Sequence, residues 1–135
     1  MISIREDFHG AEASPFQLEV EDIFSETGRL SKGGGFEYRA EQQRMAGAVA
    51  RTLETGSHLV VEAGTGVGKS LAYLIPAALH AIRTKKKAVI STHTIALQEQ
   101  LMFKDIPLVQ QILPDEFEAV LLKDGRAIPA DMVVM

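Results

Sequence analysis

The run Ala63-Gly-Thr-Gly-Val-Gly-Lys-Ser70 constrains this chain more than any other feature of its sequence. Before it stands His58-Leu-Val-Val-Glu62, a short β-branched stretch that reads as a buried strand. After it, Lys69 to about Arg83 is apolar on most sides and reads as a buried helix. Strand, glycine-rich loop and helix in this order make a cradle for phosphate. Gly64, Gly66 and Gly68 let the main chain turn tightly and approach a phosphate with no Cβ in the way. The N–H groups from about Gly66 to Ser70 then point inward, at the positive end of the helix dipole. Lys69 has the reach to meet β- and γ-phosphate oxygens, and Ser70 offers a hydroxyl to Mg²⁺. The plain alternative is a glycine-rich turn with no ligand. At average residue frequencies the relaxed pattern arises by chance in roughly one chain in a hundred of this length. The strand–helix context lowers that further.

Around the loop the periodicities alternate. Met45, Val49 and Leu53 share one face of a helix that Gly56 would stop. Pro76 lies inside the helix that begins at Lys69. An interior proline costs about 3 kcal/mol or more, which predicts a kink or a broken turn there. Ala88-Val-Ile-Ser91 reads as a second strand. Thr94 can cap a helix through about Phe103, with Pro107 interrupting before a further turn or two to Leu113. Phe117-Glu-Ala-Val-Leu-Leu122 reads as a third strand. The order β-α-β-α-β with tight connections implies an α/β fold, a parallel sheet with flanking helices. Residues 1–35 are less regular. Phe16, Leu18, Val20, Ile23 and Phe24 are scattered among acids, and a short helix near Glu19–Phe24 fits them. Gly28 and Gly33-Gly34-Gly35 punctuate a flexible connection, which places a boundary after residue 35.

Length and composition bound the function classes. The chain has 135 residues, room for about one domain, and is 46% apolar, as a globular core requires. Its net charge of −4 gives no overall basic footprint. That counts mildly against a stand-alone nucleic-acid module but says little where binding is local to a groove. With no cysteine, disulfides and thiolate-ligated metals, iron–sulfur clusters included, are excluded within these residues. Met1-Ile-Ser-Ile-Arg-Glu-Asp7 is not a signal peptide. No apolar stretch approaches the roughly 20 residues that span a bilayer. A soluble, cytoplasmic protein without a membrane partner is expected.

A phosphate loop alone does not choose among kinases, GTPases and motors; the flanks do. Phe36-Glu-Tyr-Arg-Ala-Glu-Gln-Gln-Arg-Met45 lies upstream, and Ala88-Val-Ile-Ser-Thr-His-Thr-Ile-Ala-Leu-Gln-Glu-Gln-Leu101 downstream. With Val61 to Ser70 and Ala72-Tyr-Leu-Ile-Pro76, these closely resemble the N-terminal motifs of superfamily 2 helicases, and among them the DinG/XPD-type DNA helicases. The resemblance covers about Phe24 to Arg126, with the motifs in the family's order. It implies a partial RecA-like P-loop NTPase domain that uses ATP and Mg²⁺ and engages single-stranded or forked DNA. Ala63 stands where the stricter loop pattern has glycine, and alanine is common there in helicases.

The family's roles carry over residue by residue. Arg39 and Gln42 match the Q-motif, whose glutamine reads the adenine edge; a carboxamide both donates and accepts, as adenine does. Without the flanks, Gln42 would read as the polar start of a helix. Ala63, Gly64, Thr65, Gly66, Val67, Gly68, Lys69 and Ser70 match motif I, with Lys69 as the catalytic residue and Ser70 on Mg²⁺. Thr92, Thr94, Gln98 and Gln100 match motif Ia, which lies near single-stranded DNA in such helicases. Contacts to phosphates are sequence-independent, as a translocating motor needs. Capping by Thr94 and a solvated face for Gln98 stand beside that reading. Lys85-Lys-Lys87 reads as a charged turn and His93 as a loop histidine. Asp115-Glu116-Phe-Glu118 is not the acidic Mg²⁺ motif, because it precedes a predicted strand rather than ending one.

Hydrolysis needs an acid to hold Mg²⁺ and a group to position water, and an arginine finger adds about 10³–10⁵ in rate where present. In the resembling helicases the DEAH-type motif and the second motor domain lie further on. After Lys123 the likeness stops: the family continues Lys-Gly-Arg-x-Asn-Tyr-Leu-Cys, whereas here Gly125-Arg126 is followed by Ala-Ile-Pro-Ala-Asp-Met-Val-Val-Met135. A truncated or frameshifted reading frame just after Lys123 is the expectation. The resulting domains are 1–35, a partly flexible N-terminal extension; 36–123, the N-terminal part of a helicase ATP-binding domain; and 124–135, a divergent tail. Met132-Val-Val-Met135 would add exposed apolar surface and the strands would keep unpaired edges. The rest of the helicase, supplied in trans, is then a further expected partner. Two alternatives to a helicase portion stay open, a nucleotide-binding module without turnover and a non-functional fragment.

Overall fold

The structure is a computed structural model that describes residues 2–5, 12–64, 68–122 and 130–135, with main chain alone for 2–5. Thr65, Gly66 and Val67 of the loop, and Lys123, Gly125 and Arg126 of the tail, lie outside the described residues. The chain divides into two compact units, Met1–Ala77 and Ala78–Met135.

In the first unit, helix α1 (Pro15–Ile23) starts earlier than its apolar residues alone indicate. Ser14 and Pro15 explain this. The Ser14 hydroxyl accepts the Gln17 N–H at 3.1 Å, and Pro15 occupies the first turn, where its missing N–H costs nothing. Residues that read as a flexible glycine connection instead include helix α2 (Arg29–Gly34), anchored by the buried Leu30. One apolar side chain inside the core outweighs the glycines' entropy cost. Helix α3 (Ala40–Thr55) ends at Gly56 in the left-handed conformation, as expected. Helix α1 packs on α3, burying Val20 and Ile23, with Met45, Ala46, Ala48 and Ala50 buried on α3. The approach is close. A Cβ at Gly47 would collide with the Glu21 side chain.

Strand β1 (Ile2–Arg5) pairs antiparallel with β2 (Val60–Ala63), Ile2 opposite Ala63. This corrects two expectations. Strand β2 is not buried, since Val60 is 69% exposed, and its described partner is antiparallel. A β-branched run signals a strand but not how many of its faces are covered. Helix α4 (Lys69–Thr84) then runs unbroken through Pro76, against the expected broken turn. Pro76 is fully buried, and that burial offsets the lost hydrogen bond.

The second unit holds a parallel sheet in the order β3-β5-β4, formed by β3 (Ala88–Ile90), β4 (Ala119–Leu121) and β5 (Met132–Val134). Met132 lies between Ala88 and Ala119 in register. Of the apolar tail residues expected to be exposed, only Met135 is, at 45%. Met132, Val133 and Val134 are all buried, and β5 is the central strand. Its main chain is used on both sides: Met135 N–H donates to Ile90 O, and Leu122 N–H to Val134 O. Helices flank this sheet: α5 (Ile95–Gln100), a π-helical turn (Leu101–Asp105) and α6 (Ile106–Ile112). Pro107 does not interrupt them. It falls in the first turn of α6, and the wider π turn before it absorbs the missing donor. Leu101, Ile106, Val109 and Ile112 from these helices are buried.

Candidate nucleotide site

Strand β2 ends at Ala63 and α4 begins at Lys69, so the glycine run connects a strand to a helix N-terminus as its spacing demands. Gly68 has φ +79°, in the left-handed region, and an added Cβ would collide with Nε2 of Gln42. Both facts call for glycine. Gln42 sits in the first turn of α3 and is 5% exposed. Its Nε2 donates to the Gly68 carbonyl at 3.1 Å, joining residues 26 apart in sequence. Because that partner is an acceptor, the amide's nitrogen faces the loop and its oxygen is the other prong. The same carbonyl accepts the Ala72 N–H at 3.4 Å, so Gln42 is tied to the first turn of α4.

The remaining loop residues are placed as follows. The exposed Lys69 donates from Nζ to the Ala63 carbonyl at 3.3 Å, which links α4 back to the end of β2. Ser70 is half-buried as the second residue of α4. Gly64 is exposed, with nothing within 4 Å of an added Cβ. Arg39 is exposed at the start of α3, and its side chain makes no capping hydrogen bond. Ala63, Gln42, Gly68, Lys69 and Ser70 thus belong to one unit, with two direct links among them.

Beside Gln42 stands a feature that sequence reading passes over. Gln43 accepts from the Tyr38 hydroxyl at 2.8 Å and donates from Nε2 to the Glu21 carbonyl at 2.8 Å. The only sequence hint is the doublet Gln42-Gln43. The partner carbonyl lies 22 residues away, and no periodicity announces it.

The four residues expected near DNA lie in the second unit, and the structure does not gather them into one hydrogen-bonded group. Thr92 donates from Oγ1, and from its main-chain N–H, to the Met135 oxygen, each at 2.9 Å. Thr94 caps α5, its hydroxyl accepting the Leu97 N–H at 3.1 Å. The exposed Gln100 donates to Asp105 Oδ2 at 3.2 Å, while Gln98 is half-buried. Lys85, Lys86 and Lys87 form an exposed turn, and His93 is exposed in a loop. Asp115, Glu116 and Glu118 precede β4 and line a cavity of about 480 Å³ with Gln110, Phe117 and Asp131. Among the described residues no three His, Asp or Glu side chains could together hold a metal ion. No helix among them is long and apolar enough to cross a membrane.

A glycine loop that joins a strand to a helix N-terminus defines a nucleotide-binding class, and comparison with known families narrows it. Residues 40–113, from the first residue of α3 to just past α6, match the DEAD/DEAH box helicase family, and the chain belongs to it. The domain of that family is RecA-like, in agreement with the α/β fold read from the sequence. The chain is 53% identical over 92 residues to the ATP-dependent helicase DinG of Mycobacterium tuberculosis (strain ATCC 25618 / H37Rv), covering 65% of this chain and 14% of that protein. It is 48% identical over 107 residues to the ATP-dependent DNA helicase YoaA of Escherichia coli (strain K12), covering 78% and 16%. Against the ATP-dependent DNA helicase DinG of Salmonella typhimurium (strain LT2) the identity is 52% over 100 residues, covering 72% and 14%. These identities bear out the DinG-type resemblance carried by the motifs. The chain spans 14–16% of the length of these curated relatives.

Proposed function

We propose that this chain is the N-terminal portion of an ATP-dependent DNA helicase of DinG type, which binds Mg-ATP at the phosphate loop and couples it to single-stranded DNA. The hydrogen bond from Gln42 to Gly68 carries the reading. It ties a buried carboxamide to the loop, as a site that reads base and phosphate together requires. The loop fits the group: Gly68 holds a positive φ and leaves no room for a Cβ beside Gln42, and Lys69 and Ser70 stand at a helix N-terminus. Ala63 through Ser70 would hold the phosphates, with Lys69 as the counter-charge and Ser70 on Mg²⁺. Arg39 and Gln42 would hold the adenine. Bound Mg-ATP supplies the phosphoanhydride whose cleavage drives a motor.

Thr92, Thr94, Gln98 and Gln100 are assigned to single-stranded or forked DNA, and residues 36–123 to the N-terminal part of the ATP-binding domain. Residues 1–35 and 124–135 would then be an extension and a divergent segment. A cytoplasmic location fits this role. The remaining helicase motifs, present in a longer chain or supplied in trans, would complete the motor.

Binding without turnover is the second reading. It is favoured by the place of the acids Asp115, Glu116 and Glu118, which precede β4 rather than stand at its C-terminal end. The two readings separate on DNA-stimulated phosphate release from Mg-ATP, compared between wild type and Lys69→Ala. Release that the substitution abolishes supports the motor. Mg-ATP binding with no release above background leaves the binding module standing and sinks turnover by this chain.

A further inference from the structure

The first turn of α3 carries Gln42, yet this turn lacks the usual anchor. Arg39 precedes it and makes no side-chain cap, so the first N–H groups of α3 have no capping oxygen from that residue. An uncapped helix end frays, and a fraying end would not hold Gln42 against Gly68. The last turn of α1 has the opposite surplus. Ser25 N–H bonds to Asp22 O rather than to Glu21 O, which leaves the Glu21 carbonyl open to another donor. Gln43 joins the two ends. Its Nε2 donates to Glu21 O at 2.8 Å, and its Oε1 accepts the Tyr38 hydroxyl at 2.8 Å, so both prongs of one amide are used. Gln17 Nε2 in turn holds the Glu21 carboxylate at 3.1 Å, and Gly47 admits that carboxylate close to α3.

We propose that Gln43, clamped between Tyr38 and the Glu21 carbonyl, is a positioning residue that sets Gln42 and thereby the preference for a 6-amino purine. With its nitrogen committed to Gly68 O, Gln42 presents an oxygen, which accepts from a 6-amino group and repels a 6-oxo group. Loosening the first turn of α3 removes that discrimination and leaves the phosphate grip of Lys69 in place. This inference rests on the ATP-site reading above and adds a residue to it.

The test uses the full 135-residue chain with two readouts. One is amide hydrogen exchange over residues 43–46, whose N–H groups bond to the carbonyls of the first turn, and the other is the ratio of Mg-ATP to Mg-GTP affinity by competition against a fluorescent nucleotide. Gln43→Met keeps the side chain's length and removes both hydrogen bonds. It should speed exchange and lower the ATP:GTP ratio, each about five- to tenfold, the size of roughly one net hydrogen bond, with GTP affinity unchanged. Tyr38→Phe removes a single hydroxyl and should shift both readouts the same way by less, which keeps the test open should Gln43→Met fail to fold. Faster exchange with an unaltered ratio reduces Gln43 to a purely structural residue and overturns the proposal. So does unaltered exchange. A wild-type chain with no preference for ATP over GTP removes the adenine reading itself, and that result is visible before any variant is made.

Discussion

The two units of this chain employ their polar side chains differently. In the first, Gln42 and Lys69 reach the main chain of the glycine loop, one from 26 residues away. In the second, Thr94 and Gln100 bond within five residues of themselves, and Thr92 bonds to Met135 in the strand's own neighbourhood. Polar residues of similar type thus hold a loop in one unit and hold secondary structure in the other. A hydroxyl or amide in a motif does not by itself say which. Its partner does, and a partner far along the chain that belongs to a glycine loop is the stronger sign of a site.

That contrast can be broken or sharpened at four places. Met132→Ala removes a fully buried side chain from the central strand of the second unit. It should cost about 2–5 kcal/mol in urea denaturation, because a cavity opens in a packed sheet. A loss under 1 kcal/mol would mean that β5 is not the keystone of that sheet. Lys69→Ala comes next and should weaken Mg-ATP binding roughly ten- to hundredfold, as loss of a charge-assisted contact does. Its melting temperature should stay near wild type, since Lys69 is exposed. Unchanged affinity in a titration would remove the loop's claim to phosphate.

Gly68→Ala should cost about 1–2 kcal/mol, because alanine resists positive φ, and should also push Gln42 from its place. Equal stability of variant and wild type would show that the loop relaxes freely. The smallest effect is at Thr94. Thr94→Ala should cost about 1 kcal/mol through the lost cap, whereas Thr94→Asp keeps a capping oxygen and should hold stability. If Thr94 also faces DNA, the aspartate should lower single-stranded DNA affinity by charge repulsion. Unchanged affinity would confine Thr94 to capping and widen the difference between the units.

Much of this is legible in the sequence. The phosphate loop could be read because its chemistry fixes residue types at fixed spacing, and α3, α4 and β3 because their periodicity is local. Gly56 as the stop of α3 and Thr94 as the start of α5 followed from single-residue backbone preferences. What could not be read was long-range pairing. Nothing local in Ile2–Arg5 names β2 as its partner, and nothing in Met132-Val-Val names the gap between β3 and β4 that it fills. The breaks expected at the prolines are absent for another reason. The local cost at Pro76 is real, but burial outweighs it, and a π turn rather than a break accommodates Pro107. At the site, Gln42 was found through its motif. Gln43 was not, because its role depends on a carbonyl in another helix.

The sheet order β3-β5-β4 has one more consequence, for how the unit comes to exist. Among the described residues β3 and β4 are not hydrogen-bonding partners of each other; each pairs with a strand made later than both. A chain emerging from the ribosome can build its helices turn by turn, but this sheet has no edge to grow from until residues 132–134 arrive. Contacts of long sequence separation form slowly, and strands that wait are strands that can pair elsewhere. Pairing in the second unit therefore waits for its last strand, and until then β3 and β4 keep unpaired edges.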